Sequence, residues 1–465
     1  MPLNLQDAND LFLRGTLALA KVEQAGIRID MSYLDRQIEK TGKQIIRVRE
    51  ELRADPIFAQ WRQRFGNKAN LGSGEQLAVM MFDVLGYKSK GKTATGKYKC
   101  DEEAFAHIDL PFLRKYFRGK KLEKIKGTYL EGVREEVVGE FIHPNFDLHT
   151  TITYRSSSSN INFQNVPIRD PILGRLIRRA FINRDGHAFI EIDYGSMEFI
   201  IAACFWLDPV MMDYAADPKK NVHKDMATKL FLCTADQVEK PARDCAKNQF
   251  TFPTLYGSWW KKMAAGIWNY IEQYNVQVGG KPAKEWLAAK GITELGDAKE
   301  DPPKHTYEWV VKRAEDWFNT TFSVFAEKKD AWYAEYRKNG GFRLNTGFWC
   351  GGLYSRNQCM NFPIQGPAFH CLLLSLIKLQ RWLEKKQMRA QIVAQIHDCL
   401  LIDTPVEELQ DVLTKARRIM ADEIRKEWEW VTVDLKAEVD VTPPDSNWHE
   451  KKPWDCINGV WQPKA

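Results

Sequence analysis

At 465 residues the chain exceeds what one compact core serves, so two or more domains or subdomains are expected. A hydrophobic share of 44% excludes wholesale disorder, and nine scattered cysteines with no CxxC pair exclude a disulfide framework or a zinc site. The net charge of +6 permits a polyanionic partner without demanding one, so the distribution of charge matters more than its total.

The opening MPLNLQDAND has no basic region followed by an apolar run, and no apolar stretch approaches the ~20 residues of a spanning helix. The expectation is a soluble, cytoplasmic protein with no membrane contact. Along residues 6–53, Leu11, Leu17, Leu19, Val22 and then Leu34, Ile38, Ile45, Val48 recur near helical spacing, which predicts two helices. AGIRID between them predicts a turn and a short strand. Gly66–Gly74 reads as a polar loop, and Asp101 begins another helical stretch. From Arg114 to Lys126 seven basic residues face one acid, Glu123. Residues 145–170 are polar and rich in Ser and Asn. A second basic cluster holds Arg175, Arg178, Arg179 and Arg184.

From His187 the pattern changes. HAFIEIDY predicts a strand that ends at Asp193, followed by a helix from about Ser196 to Trp206. Residues 210–340 read as mostly helical, interrupted by GGKPAKEWLAAKGITELGDAKEDPPKH, whose Gly, Pro and charge predict an exposed insertion. QIVAQI and CLLID then form a predicted hairpin with His397 and Asp398 at its tip. Two apolar strands thus each end on an aspartate. Nucleotidyl transfer asks for that arrangement, because two hard divalent cations about 3.5–4 Å apart need rigidly held carboxylates.

The surrounding residues form a recognisable set. DYGSMEF (Asp193–Phe199), RDCAKNQFTFPTLYG (Arg243–Gly257) and QIHDCLL (Gln395–Leu401) match motifs A, B and C of the family A DNA polymerases. YRSSSSNINFQNVP (Tyr154–Pro167), NVHKDMATKLF (Asn221–Phe231) and NFPIQGPAF (Asn361–Phe369) match further segments in the same order. The chain therefore resembles that family, the group of bacterial DNA polymerase I and many bacteriophage replicases, from about residue 10 to Glu450.

The resemblance implies an α+β right hand: an antiparallel palm sheet, helical fingers and a helical thumb. Residues 1–29 lead into the palm, 30–135 form the thumb, and 136–209 the first part of the palm. Residues 210–360 form the fingers, with an insertion near 278–305, and 361–465 the second part of the palm. It implies two Mg²⁺ ions, with Mn²⁺ as a substitute, on Asp193, Asp398 and the Tyr194 carbonyl. Arg243, Lys247 and His223 would grip the triphosphate, with Lys247 also protonating the leaving pyrophosphate. Phe252 and Tyr256 would stack beside the nascent pair, and Glu198 would exclude a ribose 2′-OH. Arg155, Asn361, Gln365 and His397 would contact primer and template, and Lys121, Lys124 and Lys126 would track duplex phosphates. The implied partners are primer-template DNA and dNTPs, handled by a monomer. Proofreading would come from a separate exonuclease, because no D-x-E strand motif occurs in the first 60 residues; other replisome proteins are conceivable partners.

Three features depart from the family pattern. Cys399 follows Asp398 where the family usually has Glu. The spacing from Lys247 to Tyr256 is one residue longer, which predicts a π-bulge between Asn248 and Pro253 and leaves Phe250 as a rival to Phe252 for the stacking role. The stretch between Tyr256 and Gln365 is longer than in bacterial enzymes, which points to a bacteriophage-type member acting in the bacterial cytoplasm. The rival readings are a single-subunit RNA polymerase or reverse transcriptase, and a degenerate polymerase serving as a DNA-binding accessory subunit. Glu198 and the motif B helix argue against the first. Retention of Asp193, Asp398, Arg243, Lys247 and Gln365 argues against the second.

Overall fold

The computed structural model describes residues 3–89, 91–93, 95–105, 107–160, 162–163 and 171–464, with the side chains of 171 and 172 left aside. Residues 161 and 164–167 of the Tyr154–Pro167 segment lie outside the described residues.

Helix α1 (Leu5–Ala25) starts at Asn4, whose side chain forms a capping box with Asp7. It ends at Gly26, where φ is 64° and a Cβ would stand 2.6 Å from the His143 ring. Only glycine satisfies both conditions. Helix α2 (Met31–Arg53) buries Leu34, Ile45 and Val48 of the four positions its periodicity marked and half-buries the fourth, Ile38. It packs against α3 (Pro111–Lys124), where Gly119 allows close approach to Val48. Between them Phe58, Trp61, Leu77, Met80, Phe105 and Tyr116 form a small core distinct from the main one. The N-terminal helical arm thus has its own hydrophobic support.

The main sheet has six antiparallel strands. In chain order they are β1 (His187–Tyr194), β2 (Gln391–Ile396), β3 (Cys399–Pro405), β4 (Ala437–Val441), β5 (Lys452–Ile457) and β6 (Val460–Pro463). In space they run β2-β3-β1-β4-β5-β6, so the two aspartate-bearing strands lie side by side. Helix α4 (Met197–Trp206) follows β1 and is apolar around its whole circumference apart from Glu198, which fits its burial. Helix α5 (Val222–Leu230) and a cluster of further helices make up the lobe between β1 and β2.

The segment expected to be an exposed insertion is instead folded. Gln277–Val278 and Lys281–Pro282 pair across Gly279 and Gly280, which both have positive φ, and Ala283–Ala289 forms a helix. Ala283, Leu287 and Ile292 are buried, and the Trp286 indole donates to the Phe231 carbonyl at 2.8 Å. Its scattered apolar residues are too few to show a period, yet enough to anchor it.

Helix α6 (Arg356–Lys385) carries the chain across residue 360 without a break. It is the one described helix long and apolar enough to cross a membrane, which the sequence reading did not anticipate. Its apolar window is 89% buried inside the protein, so it is a central core helix against α1 and α4.

Candidate active site

Asp193 sits next to the end of β1, and the predicted hairpin places Asp398 beside it. In the register, Cys399 lies opposite Asp193 and Ile396 opposite Cys399 across the turn. The Tyr194 N–H donates to the Asp398 carbonyl at 3.2 Å, which ties the two motifs together. His397 holds the turn at φ 52° and its side chain is exposed at the tip. Gln395, 1% exposed, donates its amide to the His397 carbonyl at 2.7 Å and accepts from the Ser156 hydroxyl at 2.6 Å. A buried glutamine in an otherwise apolar strand is the signal that would have revealed this brace. Neither Gln395 nor Ser156 stood out from sequence alone.

Electrostatics at the hairpin are unbalanced. Burial and then Asp398 push the Asp193 carboxyl up to about 8, with Glu191 adding to the rise and Lys247 opposing it. Burial also raises Asp398, against Arg155 and Lys247. The nearest Arg155 nitrogen is 3.8 Å from an Asp398 oxygen. Glu198 is raised by burial and by Asp398. Crowded carboxylates of this kind suit hard cations. Among the described residues no three His, Cys, Asp or Glu side chains are arranged to hold one ion. The acids brought together here are Asp193 and Asp398, a pair of oxygen donors of the kind Mg²⁺ takes alongside waters and substrate oxygens.

The interrupted helix of residues 240–255 faces this centre. It is α-helical over Lys240–Cys245, π-helical over Ala246–Thr251 and α-helical again over Phe252–Leu255. The predicted bulge is therefore present, starting two residues earlier than expected. The Phe252 N–H reaches back five residues to the Lys247 carbonyl. That spacing keeps Lys247 and Phe252 on one face, and the ammonium lies 5.4 Å from the ring centroid. Phe252 and Tyr256 stack at 6.3 Å between centroids. Phe250, the rival, is 0% exposed and packs edge-on against Phe318 in the core.

His223 on α5 meets Phe252 edge-on at 5.6 Å. It is 1% exposed, and neither ring nitrogen has a hydrogen-bond partner among the described residues. Burial, Lys247 and Arg243 together depress it to about 3. Three basic groups thus converge on one spot. Tyr256 hydrogen-bonds Gln365 and is raised by burial and by Glu198. Asn361, one turn before Gln365 on α6, has a buried carbonyl oxygen with no partner among the described residues.

Other expected residues stand elsewhere. Lys121 and Lys124 lie on the exposed side of α3, and Lys126 is half-buried and ion-paired to Glu131. Arg114, Lys115 and Lys120 are also paired, with Asp109, Glu51 and Glu123. In the second basic cluster three of the four arginines make structural contacts, while Arg175 is exposed. Arg178 lies over Trp448 at 4.2 Å, Arg179 pairs with Glu450 at 2.9 Å, and Arg184 with buried Asp403 at 2.7 Å.

Comparison with known proteins gives a consistent result. The sequence profile of DNA polymerase family A matches residues 37–274 and 352–450. The chain is 26% identical over 411 residues to the thermostable DNA polymerase I of Thermus aquaticus, covering 86% of this chain and 44% of that one. It is 22% identical over 458 residues to the DNA polymerase of Bacillus phage SP01, covering 88% and 47%. The chain thus spans a little under half the length of these relatives. The POL domain of Pol1 from M. smegmatis, solved in complex with DNA primer-template and dNTP, aligns at a TM-score of 0.74 over 94% of this chain and 70% of that one. At 22% identity this likeness shows the fold.

Proposed function

The chain belongs to DNA polymerase family A, and on that footing we propose that it extends a primer 3′-OH on a DNA template, using dNTPs and releasing pyrophosphate. The observation that carries this reading is the meeting of two strand-end aspartates with a basic cluster of half-buried Arg243 and Lys247 around buried His223. Acidic and basic groups so placed suit a bound triphosphate and its charge-neutralising ions.

Asp193, Asp398 and the Tyr194 carbonyl would hold two divalent ions of the Mg²⁺ type. When bound, these neutralise charge on the phosphate and favour the primer alkoxide. The chain's own residues do the rest. Arg243, Lys247 and His223 hold the triphosphate. The primer 3′-oxygen, its proton released to solvent, bonds to the α-phosphorus as the bridge to the β-phosphate breaks. The bond pair leaves with pyrophosphate, which takes a proton from Lys247. Phe252 and Tyr256 present a stacking face to the incoming base, and Glu198 crowds the sugar's 2′ position. Arg155, Asn361 and Gln365 contact the terminal pair from the minor groove, where similar acceptors are shown by every pair. His397 supports the primer end. Lys121 and Lys124 meet backbone phosphates, a contact that weakens with salt.

Extension of a 5′-labelled primer with Mg²⁺ and dNTPs tests the reading. Wild type should extend, and Asp193→Ala and Asp398→Ala should fall by at least a thousandfold while still binding duplex. Failure of wild type with both Mg²⁺ and Mn²⁺ would refute it in favour of a DNA-binding accessory subunit.

A further inference from the structure

We infer that Glu191 is a positioning residue for Asp193, supplying from β1 the carboxylate that motif C lacks at Cys399. The inference deepens the polymerase reading and rests on it.

The register places these groups together. Cys399 lies opposite Asp193 and Leu401 opposite Glu191, and side chains directly opposite in an antiparallel pair share a face. Glu191, two residues before Asp193, is on that same face and diagonal to Cys399. Cys399 is a buried thiol, so this corner of the sheet receives no carboxylate from β3.

Glu191 is also held in one direction. One carboxylate oxygen accepts from the Trp448 indole at 2.6 Å and the other from the Lys451 ammonium at 2.6 Å. Lys451 in turn bonds Asp440 at 2.6 Å, and the Arg178 guanidinium covers the Trp448 ring at 4.2 Å. Its side chain is 13% exposed. The bonds from Lys451 and Trp448 satisfy the acid once it is there, but they do not explain why an acid stands beside Asp193. Like charges on neighbouring positions of one sheet face repel, and a buried ion pair is often no better for stability than apolar residues of similar size. An acid oriented beside Asp193 has a use if it fixes the field, and the waters, around an ion that Asp193 holds. Outer partners of this kind typically alter metal affinity by about 10–100-fold.

Glu438 provides the control. It faces Asp193 from β4, directly opposite in the register, but it is exposed and, among the described residues, no hydrogen bond or ion pair fixes it. Removing its charge alters the same face without removing an oriented group.

The test is Mn²⁺ affinity of the full chain, read from free-ion electron paramagnetic resonance, alongside primer extension. Glu191→Gln should weaken Mn²⁺ binding by about tenfold or more. Glu438→Gln should change it by less than about threefold. Cys399→Glu added to Glu191→Gln should restore affinity to within about threefold of wild type, a rescue that a merely structural role would not show. If the double variant does not fold by circular dichroism, the two single variants decide. Glu191→Gln within about twofold of wild type, equal losses in Glu191→Gln and Glu438→Gln, or a folded double variant without rescue would each overturn the inference while wild type still extends primers. Wild type that neither binds Mn²⁺ nor extends would overturn the polymerase reading, and this inference with it.

Discussion

His223 offers a sharp test because its predicted effects on stability and on ligand binding have opposite signs. Both ring nitrogens are buried without a partner among the described residues. An unsatisfied buried polar group costs about 1–3 kcal/mol, so two cost at least ~2 kcal/mol in the free protein. His223→Leu keeps a similar volume, removes both groups and forfeits an aromatic contact with Phe252 worth ~1 kcal/mol. The free protein should therefore gain about 1 kcal/mol, read from the urea midpoint in EDTA without nucleotide. The same change should raise the dNTP KM at least tenfold, since a hydrogen bond to a charged oxygen is worth ~1.5–3 kcal/mol. A pH scan adds an independent sign. With His223 depressed to about 3 from 6.5, the folded protein binds fewer protons than the unfolded chain between those values. Its contribution is therefore complete above pH 6.5 and lost as pH falls towards about 3, a loss absent from the Leu variant. A destabilised His223→Leu with unchanged KM would refute the reasoning. It would mean the nitrogens serve the fold rather than a ligand.

Phe250→Ala should cost ~3–5 kcal/mol of stability by opening a core cavity, whereas Phe252→Ala should cost much less and raise the dNTP KM; paired urea melts and kinetics check both. Glu198→Ala should relax discrimination against rNTPs, measured as the ratio of dNMP to rNMP incorporation, and an unchanged ratio would place the gate elsewhere. Because Asp193 is raised from 3.8 to about 8, the folded protein holds that proton more tightly than the unfolded chain. Metal-free stability from this group is therefore full below pH 3.8 and lost as pH rises through about 8. Asp193→Asn should flatten that slope, and identical pH profiles in EDTA would contradict the burial argument.

Local sequence determined much of this protein. The alternation in HAFIEIDY and the polar pair between QIVAQI and CLLID define strands and a hairpin, because side-chain period and turn chemistry act over a few residues. Even the π segment was legible. One residue too many between Lys247 and Tyr256 must be absorbed if both are to face the same side. Tertiary structure alone decided the rest. Sequence did not separate Phe250 from Phe252, since only packing against Phe318 makes one of them core. It did not show that Arg178, Arg179 and Arg184 are consumed by Trp448, Glu450 and Asp403, partners more than 200 positions away. Nor did it bring Glu191 beside Lys451 and Cys399, or Gln395 beside Ser156. Those meetings depend on strand order and register, which the whole core sets and which no short window of sequence contains.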